Sequence, residues 1–448
     1  MAEVTTTRPA TGLTDLQSTV DEVIARYVSA NPASARRHGD AERVMPGGNT
    51  RTVLHFEPFP LTFARGEGPY LWSIDGARYA DFLGDFTAAI YGHSDPQVIK
   101  AVHSALDDGV NFGGANTLEH RLAALLCGRF PSMDLVRFTN SGTEANLMSL
   151  ALSLHVTGRR RVLTFRGAYH GGVLAFADGP SPTNVPHDFV LSDYNDVEGT
   201  RAIIRDNSEA LAAILVEPML GSGGCIPATP EFLRMLRDEA SRCGAVLTFD
   251  EVMTSRLAPG GVQQLENVIP DLTTLGKYVA GGMSFGAFGG RRDLMKHFDP
   301  SSPSALAHAG TFNNNVVSMS AGIAGLTQVL TDQALADLNA RGDRLREGIN
   351  DVIASHEVAL HASGRGSLMT IHPSTRSIVF GTGLSRAQAL ARELIFFDLI
   401  HAHQWTARRG MITLSLPITD EHCRAFLAAF DAIVAERAPL LRRHLGCE

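Results

Sequence analysis

Short apolar runs alternate with longer amphipathic stretches between about residues 81 and 330. Five of these runs have the length and composition of buried strands: 136–139, 161–165, 213–217, 245–249 and 272–275. Strands separated by helical stretches predict an α/β structure, a mostly parallel sheet with helices on its faces. Ligands bind beyond the carboxyl ends of such strands, so the polar residues that follow each run are the first candidates for a functional site.

The two ends of the chain have different patterns. Residues 1–12 are polar and predict a disordered tail, whereas 15–30 alternate apolar and charged residues as an amphipathic helix does. Residues 46–51 form a loop because Pro and two Gly interrupt any helix there. After residue 331 the pattern becomes helix, strands and helix, with a strand at 411–416 and a last helix from Asp420. We predict a large domain at 81–330 and a small α+β domain at 331–448, to which 13–80 contribute.

Composition narrows the class of protein. The 448 residues exceed one core of typical size, and 44% hydrophobic residues can fill two. A net charge of -8 without a basic cluster argues against nucleic acid and anionic membranes as partners. Five scattered cysteines lack the spacing of a disulfide framework or a metal site, which favours a reduced cytoplasm. The N-terminal residues lack the apolar core of a signal peptide and no run of about 18 apolar residues occurs, so we predict neither export nor membrane insertion.

Asp250 and Lys277 are the first candidate catalytic residues. Asp250 directly follows the apolar run 245–249, where a lone Asp is more often a helix cap or an ion-pair partner. It could instead keep a heteroaromatic nitrogen protonated, as in enzymes that use pyridoxal phosphate (PLP). Lys277 comes 27 residues later among apolar residues and glycines. Burial would make its amine a nucleophile, and a snorkelling lysine at a helix start is the alternative.

Residues 140–146 lie between a strand and an apolar helical stretch at 147–154. Ser141, Gly142 and Thr143 could bind an anion through their hydroxyls and the free N–H groups of a helix N-terminus. An ordinary helix cap explains the same residues equally well. The local sequence leaves both interpretations open.

Three further polar segments are ambiguous when each is considered alone. Tyr169 could stack on a flat cofactor or simply cover the edge of the sheet. His170 could relay a proton, although a lone histidine is more often structural. The polar run 310–315 has the composition of a turn.

Taken together, these motifs resemble the class III aminotransferases of the type I PLP fold, and within them the glutamate-1-semialdehyde aminomutase branch. The similarity extends from about residue 30 to the last helix. It depends on Ser-Gly-Thr-Glu-Ala-Asn at 141–146, Tyr-His-Gly at 169–171, Glu-Pro at 217–218, Asp-Glu-Val-Met at 250–253, Gly-Lys at 276–277 and Gly-Thr-Phe at 310–312. The resemblance implies a large domain with a mostly parallel seven-stranded sheet, a smaller α+β domain, PLP as the cofactor and a homodimer.

The resemblance also implies a role for each motif. Lys277 is the lysine that forms the Schiff base with PLP, and Asp250 pairs with the pyridine nitrogen. The other implied cofactor-binding residues are Ser141, Gly142 and Thr143 at the phosphate, Tyr169 and Val252 on the two ring faces, Glu217, and Thr311, which serves the neighbouring subunit's site.

Two arginine segments resemble the subgroup that acts on β-amino acids, such as β-phenylalanine aminotransferases. Arg51 ends the run 46–51, and Arg409 precedes the strand at 411–416. A guanidinium group binds a carboxylate through two parallel hydrogen bonds. Each could instead be a surface arginine, an interpretation that suits the neighbouring Arg408 better.

The predicted function is amino transfer from a β-amino acid, aromatic and β-phenylalanine-like, to a keto acid such as 2-oxoglutarate or pyruvate. Lys277 would then move a proton between substrate and cofactor carbons. A glutamate-1-semialdehyde 2,1-aminomutase, which needs no acceptor, is the nearest alternative. An ω-amine transaminase and a PLP decarboxylase share the scaffold. A catalytically silent PLP-fold binding protein is disfavoured because Lys277, Asp250 and the phosphate segment are all present.

Overall fold

The computed structural model describes residues 13–379 and 383–446. The tail predicted at 1–12 lies outside these described residues. The first part of the chain contains α1 (Thr14–Ala30), α2 (Pro32–Glu42), β1 (Phe63–Glu67), β2 (Tyr70–Ser73), β3 (Arg78–Asp81), a single turn α3 (Gly84–Thr87), α4 (Pro96–Asp108) and α5 (Glu119–Arg129).

The middle of the chain forms the central sheet and its helices. Its elements are β4 (Leu135–Thr139), α6 (Gly142–Thr157), β5 (Arg161–Phe165), β6 (Ala168–Tyr169), β7 (Ala175–Phe176), β8 (Asp188–Ser192), α7 (Val197–Asp206), β9 (Leu211–Val216), β10 (Met219–Leu220), β11 (Ile226–Pro227), α8 (Pro230–Cys243), β12 (Val246–Asp250), α9 (Gly261–Glu266), β13 (Leu272–Gly276), β14 (Gly286–Gly290), α10 (Arg292–Met295) and α11 (Val316–Ala324).

The last part contains α12 (Asp332–Ser355), β15 (His361–Arg365), β16 (Leu368–His372), α13 (Arg386–His401), β17 (Gln404–Trp405), β18 (Met411–Thr413) and α14 (Asp420–Leu445). Short helical turns occur at Pro46–Gly48, Thr52–Leu54, Thr254–Arg256, Lys277–Ala280 and Lys296–Phe298.

The central sheet has seven strands in the order β4-β14-β13-β12-β9-β5-β8. Only β14 runs antiparallel to its neighbours β13 and β4, and the other described pairs are parallel. Strands β9, β12 and β13 are buried along their whole length, which explains their continuous apolar sequence. The prediction of a mostly parallel seven-stranded sheet is therefore confirmed.

Two strands of this sheet, β8 and β14, escaped the hydrophobic pattern. Strand β14 has the sequence Gly-Ala-Phe-Gly-Gly, which is too poor in apolar side chains to signal a strand. Its glycines reflect close packing: a Cβ at Gly286 would come within 2.1 Å of the Ser141 carbonyl oxygen, and one at Gly289 within 2.6 Å of that of Leu135. A strand whose backbone packs closely against its neighbours needs glycine, so its composition does not indicate a strand.

The two ends of the chain pack against each other. The apolar face of α1, including Val20 and Tyr27, lies against Leu394 and Phe397 of α13 in one buried cluster. Strand β3 also pairs in parallel with β17, so one four-stranded sheet combines both ends. Burial of each such large apolar side chain stabilises the fold by about 1.5–3 kcal/mol. These contacts agree with an N-terminal segment that joins the small domain, and the domain boundaries stay a prediction.

The strand predicted at 411–416 is shorter than expected. β18 ends at Thr413, because the backbone then leaves the sheet and the N–H of Leu416 donates to the carbonyl of Ile90. The sequence Met-Ile-Thr-Leu-Ser-Leu continues the alternation of a strand, so this end depends on a tertiary contact. Within 13–379 and 383–446, no helix is long and apolar enough to cross a membrane.

Candidate active site

Five polar segments meet at the carboxyl edge of the central sheet. They follow β4, β5, β9, β12 and β13, and carry Ser141 to Thr143, Tyr169, Glu217, Asp250 with Val252, and Lys277. Direct contacts join several of them. The N–H of Tyr169 donates to Glu217, and a Cβ built at Gly142 would come within 2.7 Å of Val252. Parallel strands bring together residues that are far apart in sequence, as the hydrophobic pattern predicted.

Asp250 is buried, and three donors fix its carboxylate. Oδ2 accepts hydrogen bonds from His170 Nδ1 and Asn146 Nδ2, both at 2.8 Å. Oδ1 accepts one from the N–H of Val252 at 3.0 Å. His170 is also buried, and its Nε2 lies 3.1 Å from Thr164 Oγ1. Asp250 is thus an oriented carboxylate at the site and not a helix cap, and His170 positions it.

Asn146 is a site residue to which the sequence motif assigned no role. It lies in the second turn of α6, and its Oδ1 accepts a hydrogen bond from Thr274 Oγ1 at 2.7 Å. Its Nδ2 also donates to the carbonyl of His170 at 3.0 Å. Asn146 therefore ties α6, β13 and the His170 loop to Asp250. The available signal was an amide in an otherwise apolar helical stretch.

Lys277 is the residue directly after β13 and is partly buried. Its Nζ forms neither an ion pair nor a hydrogen bond with another described residue. Burial lowers the pKa of the amine to about 8, against the opposing effect of the Asp250 and Glu217 carboxylates. Of the three lysines in the chain, Lys100 and Lys296 are exposed. An unpartnered amine with a pKa this close to neutrality is suited to nucleophilic attack.

The backbone of Lys277 is also unusual. Its φ is +56°, a left-handed conformation that residues with a side chain rarely adopt. The neighbouring Gly276 is close-packed, since a Cβ there would lie 3.4 Å from Val252 and 3.3 Å from the carbonyl of Phe285. Such strained positions cluster at functional sites.

The N-terminus of α6 combines both functions that the sequence left open. Ser141 caps the helix, because its Oγ accepts a hydrogen bond from the N–H of Glu144 at 3.1 Å. The N–H groups of Gly142 and Thr143 have no acceptor among the described residues, so they can bind an anion. Gly171 has a φ of +126°, and a Cβ there would overlap Thr143 Oγ1 at 2.1 Å. The loop after Tyr169 therefore packs directly on this anion cradle.

Glu217 is a buried carboxylate at the end of β9. It accepts hydrogen bonds from the N–H groups of Tyr169 at 2.9 Å and Gly221 at 3.0 Å. Burial raises its pKa to about 7, while neighbouring His170 opposes the shift and Asp250 adds to it. The Tyr169 side chain itself is 49% exposed and has no ring contact among the described residues. Glu217 thus fixes the backbone of an aromatic residue whose ring is free to stack.

The two predicted arginines differ in environment. Arg51 is half exposed and pairs with Asp85, with 2.8 Å between Nη2 and Oδ1. Arg409 is partly buried and has no carboxylate within ion-pair distance among the described residues. Its Nη1 donates to Ser222 Oγ at 3.1 Å, and burial lowers its pKa. By contrast, Arg408 pairs with Glu393 at 2.7 Å, which agrees with a structural arginine.

Phe86 links the two arginines. The guanidinium carbon of Arg51 lies 5.9 Å from the centroid of its ring, and that of Arg409 lies 5.2 Å from the same centroid. Phe86 and Asp85 belong to α3, whose residues have positive φ values. Sequence reasoning missed both residues, because a left-handed turn of non-glycine residues has no compositional signature.

Thr311 is the one predicted site residue that lies apart from the others. Its side chain is exposed and forms no hydrogen bond to another described residue. The same loop approaches the site through Asn313, whose Oδ1 accepts a hydrogen bond from Asn140 Nδ2 at 3.0 Å.

The residues present fit PLP. The unpartnered amine of Lys277, the oriented carboxylate of Asp250, the free N–H groups of the cradle and the exposed ring of Tyr169 match an aldehyde, a pyridine nitrogen, a phosphate and a ring face. No group of His, Cys, Asp and Glu in 13–379 and 383–446 could hold a metal ion.

Comparisons with known proteins show the family of the chain. The aminotransferase class-III family model matches residues 54–434. The chain is 49% identical to a beta-phenylalanine transaminase of Variovorax paradoxus, covering 95% of this chain and 98% of that protein. The crystal structure of a beta-phenylalanine aminotransferase from that organism superposes with a TM-score of 0.93, covering 95% and 99% of the two chains.

Two further similarities concern the predicted branch and the cofactor. A glutamate-1-semialdehyde 2,1-aminomutase of Desulforudis audaxviator is 35% identical, covering 89% of this chain and 96% of that protein. A transaminase with PLP bound is 31% identical, with a TM-score of 0.84 and coverage of 92% and 99%. The chain therefore belongs to the class-III aminotransferases, and PLP is its cofactor.

Proposed function

We propose that this chain transfers the amino group of a β-amino acid with an aromatic, β-phenylalanine-like side chain to a keto acid such as 2-oxoglutarate or pyruvate. The observation that carries this proposal is the pair of guanidinium groups beside Phe86. A transaminase binds donor and acceptor in turn in one pocket, and both carry a carboxylate. The 49% identity to a beta-phenylalanine transaminase supports the same substrate class.

Arg409 suits the carboxylate of the acceptor. Because it has no carboxylate partner in the described chain, its charge is only weakly compensated by Ser222, by Met411 Sδ at 3.3 Å and by the Phe86 ring. A partly buried charge without a partner is costly, and an incoming carboxylate would supply that partner. Arg51, at the more open edge of the site, suits the donor carboxylate.

A pocket of about 350 Å³ beside Arg51 and Phe86 supports the aromatic side chain. Much of its wall is apolar, with Leu54, Phe56, Leu83, Phe396 and Trp405 among the lining residues. Ligand pockets of this kind combine an apolar wall with a few polar groups that set orientation. A phenyl ring fits this volume while the carboxylate stays near Arg51.

The proposed roles of the cofactor-binding residues are those that the family resemblance implies, and their contacts support these roles. PLP supplies an electron sink for the carbon that carries the amino group. Asp250, whose carboxylate is fixed by His170 and Asn146, would keep the ring nitrogen protonated. The residues proposed to hold the remaining parts of the cofactor are Ser141, Gly142 and Thr143 at the phosphate, and Tyr169, Val252 and Glu217 around the ring.

Lys277 is the proposed catalytic base as well as the covalent anchor. In its neutral form, the Nζ of Lys277 would take a proton from the substrate carbon and, as an ammonium group, would give that proton back when the amino group is transferred. A pKa of about 8 suits this exchange because the neutral amine is readily available near neutral pH.

The proposed homodimer would complete the phosphate site with Thr311 of the neighbouring subunit. Its support is the exposed surface formed by segments 110–116 and 311–316, which line a cavity of about 580 Å³. Phe112 and Phe312 on these segments are each 56% exposed. Exposed aromatic residues of this kind are typical of protein interfaces. A cytoplasmic location, which the free thiols of Cys127, Cys225, Cys243 and Cys423 support, is likewise a proposal.

The function is tested by a panel of donors against 2-oxoglutarate and pyruvate. β-Phenylalanine should be used at least about 10-fold better, in kcat/KM, than α-phenylalanine and than simple amines. A control without acceptor distinguishes a transaminase from an aminomutase, which would turn over glutamate-1-semialdehyde without any acceptor. Release of carbon dioxide would identify a decarboxylase. Preference for α-amino acids or simple amines would overturn the proposal, the latter in favour of an ω-amine transaminase.

A further inference from the structure

Asp85 is an acidic residue at a site that is proposed to bind carboxylates. Its Oδ1 lies 2.8 Å from Arg51 Nη2, and the two side chains are 55% and 49% exposed. Asp85 and Arg51 both line the pocket next to Phe86. The charge of Arg51 is therefore compensated within the chain before any substrate binds, unlike the charge of Arg409.

The backbone that presents Asp85 is strained. Four consecutive residues, Gly84 to Thr87, have φ values of +54°, +43°, +53° and +82°. The turn is held by Asp81, whose Oδ1 accepts hydrogen bonds from the N–H groups of Leu83 at 2.8 Å and Gly84 at 2.9 Å. Left-handed residues with side chains persist only where the surrounding structure enforces them, and they cluster at functional sites.

This turn places side chains of opposite character at one spot. Phe86 lies beside both arginines, whereas Asp85 forms an ion pair with Arg51 and not with Arg409. The charge of Asp85 also acts on the reacting amine. Burial lowers the pKa of Lys277, and the negative charge of Asp85 is among the groups that oppose this shift. The carboxylate of Asp85 and that of a bound donor would thus share the same region and the same guanidinium group.

We propose that Asp85 is a specificity-determining residue, an internal counter-ion that weakens the binding of a donor carboxylate at Arg51. The inference rests on the proposed function, because it takes Arg51 as the subsite of the donor carboxylate. A carboxylate that binds there must share Arg51 with Asp85 and overcome the repulsion between two like charges. At Arg409 a carboxylate meets no such competitor.

The consequence is an asymmetry between the two half-reactions. The donor and its keto product, which differ at the amino-bearing carbon but keep the same carboxylate, are held weakly at Arg51 and leave readily. An acceptor carboxylate at Arg409 is held by an uncompensated charge. Donors without a carboxylate are indifferent to Asp85, so Asp85 acts on the carboxylate and not on the aryl group.

Asp85→Asn separates charge from geometry, since the amide oxygen of Asn can still accept the hydrogen bond from Arg51. The probe is 3-phenylpropanoate, which has the carboxylate and aryl group of the donor but no amino group, and its neutral amide is the reference ligand. Both are titrated into the PLP-loaded enzyme by cofactor absorbance. Asp188→Asn is the matched control, because Asp188 pairs with Arg161 at 2.9 Å at the amino ends of β5 and β8.

Asp85→Asn is expected to increase the affinity for 3-phenylpropanoate by about 3-fold, the scale of an exposed ion pair, and to leave the affinity for the amide unchanged. Asp188→Asn should change neither. The gain should shrink at high salt, because screening weakens the repulsion between the two carboxylates. Suppose that Asp85→Asn leaves the affinity for 3-phenylpropanoate unchanged or lowers it, while Arg51→Ala also lowers it. The role of Asp85 is then wrong, and Arg51 remains the donor site. If Arg51→Ala has no effect, the Arg51 subsite fails together with the inference, and the donor panel decides independently whether the reaction itself stands.

Discussion

His170 Nδ1 lies 2.8 Å from Asp250 Oδ2, and both side chains are buried. This relationship requires the proton of the imidazole to be on Nδ1, where it donates to the carboxylate. Asn146 donates to the same oxygen, so two donors hold Oδ2, while among the described residues Oδ1 receives one hydrogen bond, from the N–H of Val252. Oδ1 is therefore the oxygen with room for a further partner, which makes the carboxylate preorganised for a pyridine nitrogen.

The first prediction concerns the charge of Asp250. Asp250→Asn keeps the size of the side chain but cannot stabilise a protonated ring nitrogen, so kcat should fall at least about 100-fold. Steady-state kinetics with β-phenylalanine and 2-oxoglutarate measures the change, and Asp188→Asn is the control for a surface carboxylate. A kcat within about 3-fold of the unmodified enzyme would contradict the role of Asp250.

Lys277 should be the site of covalent PLP attachment. The pH dependence of this attachment should have its midpoint near the lowered pKa of the amine. Its pKa of about 8 means that uptake of PLP by the apoprotein rises with pH up to that value, because only the neutral amine attacks. Borohydride reduction followed by peptide mapping identifies the modified residue. Lys277→Ala should retain no covalent PLP, and labelling of Lys100 or Lys296 instead would refute the assignment.

The raised pKa of Glu217 should make the stability of the fold depend on pH. Its folded pKa of about 7 lies above the usual 4.5, so the folded apoprotein binds a proton that the unfolded chain releases. This stabilisation is complete below pH 4.5 and is lost as the pH rises to about 7. Relative to Glu217→Gln, the free energy of unfolding should decrease by up to about 3 kcal/mol across that window.

Urea unfolding at pH 5 and pH 7.5 measures this difference. Glu198→Gln is the control, because Glu198 is an exposed residue of α7 that pairs with Arg201 at the surface. Equal pH dependence in the unmodified protein and in Glu217→Gln would show that Glu217 stays ionised throughout.

Arg409 and Arg408 form a matched pair for testing the acceptor site. Arg409→Gln should raise the KM for 2-oxoglutarate by at least about 10-fold, since a charged hydrogen bond contributes about 1.5–3 kcal/mol. Arg408→Gln should leave this KM within about 2-fold, because Arg408 is engaged with Glu393. A larger effect at Arg408 than at Arg409 would place the acceptor carboxylate elsewhere.

The parts of the site that the sequence predicted are those that strand ends specify. Asp250, Lys277 and the segment after β4 follow apolar runs directly, so the parallel sheet alone brings them to one edge. The Asn146 and Thr274 contacts that fix Asp250 were not predictable, because they join residues 128 positions apart. Likewise, Ser141 caps the helix while the N–H groups of Gly142 and Thr143 remain without an acceptor among the described residues. The sequence alone could not distinguish a helix cap from an anion site, and the structure combines the two.

By itself, the sequence predicted the fold class and made Lys277 and Asp250 candidate catalytic residues, because the hydrophobic period and the motifs at strand ends are local properties of the chain. Only the tertiary structure decided three other features. These are the glycine-rich strand β14, the left-handed turn at Gly84 to Thr87, and the pairing of Arg51 with a carboxylate that Arg409 lacks among the described residues. The physical reason is that close backbone packing and the pairing of Arg51 with Asp85 depend on contacts between distant segments. The neighbours of Lys277 in sequence make it a candidate reactive amine, but its pKa of about 8 is set by the burial that only the folded chain provides.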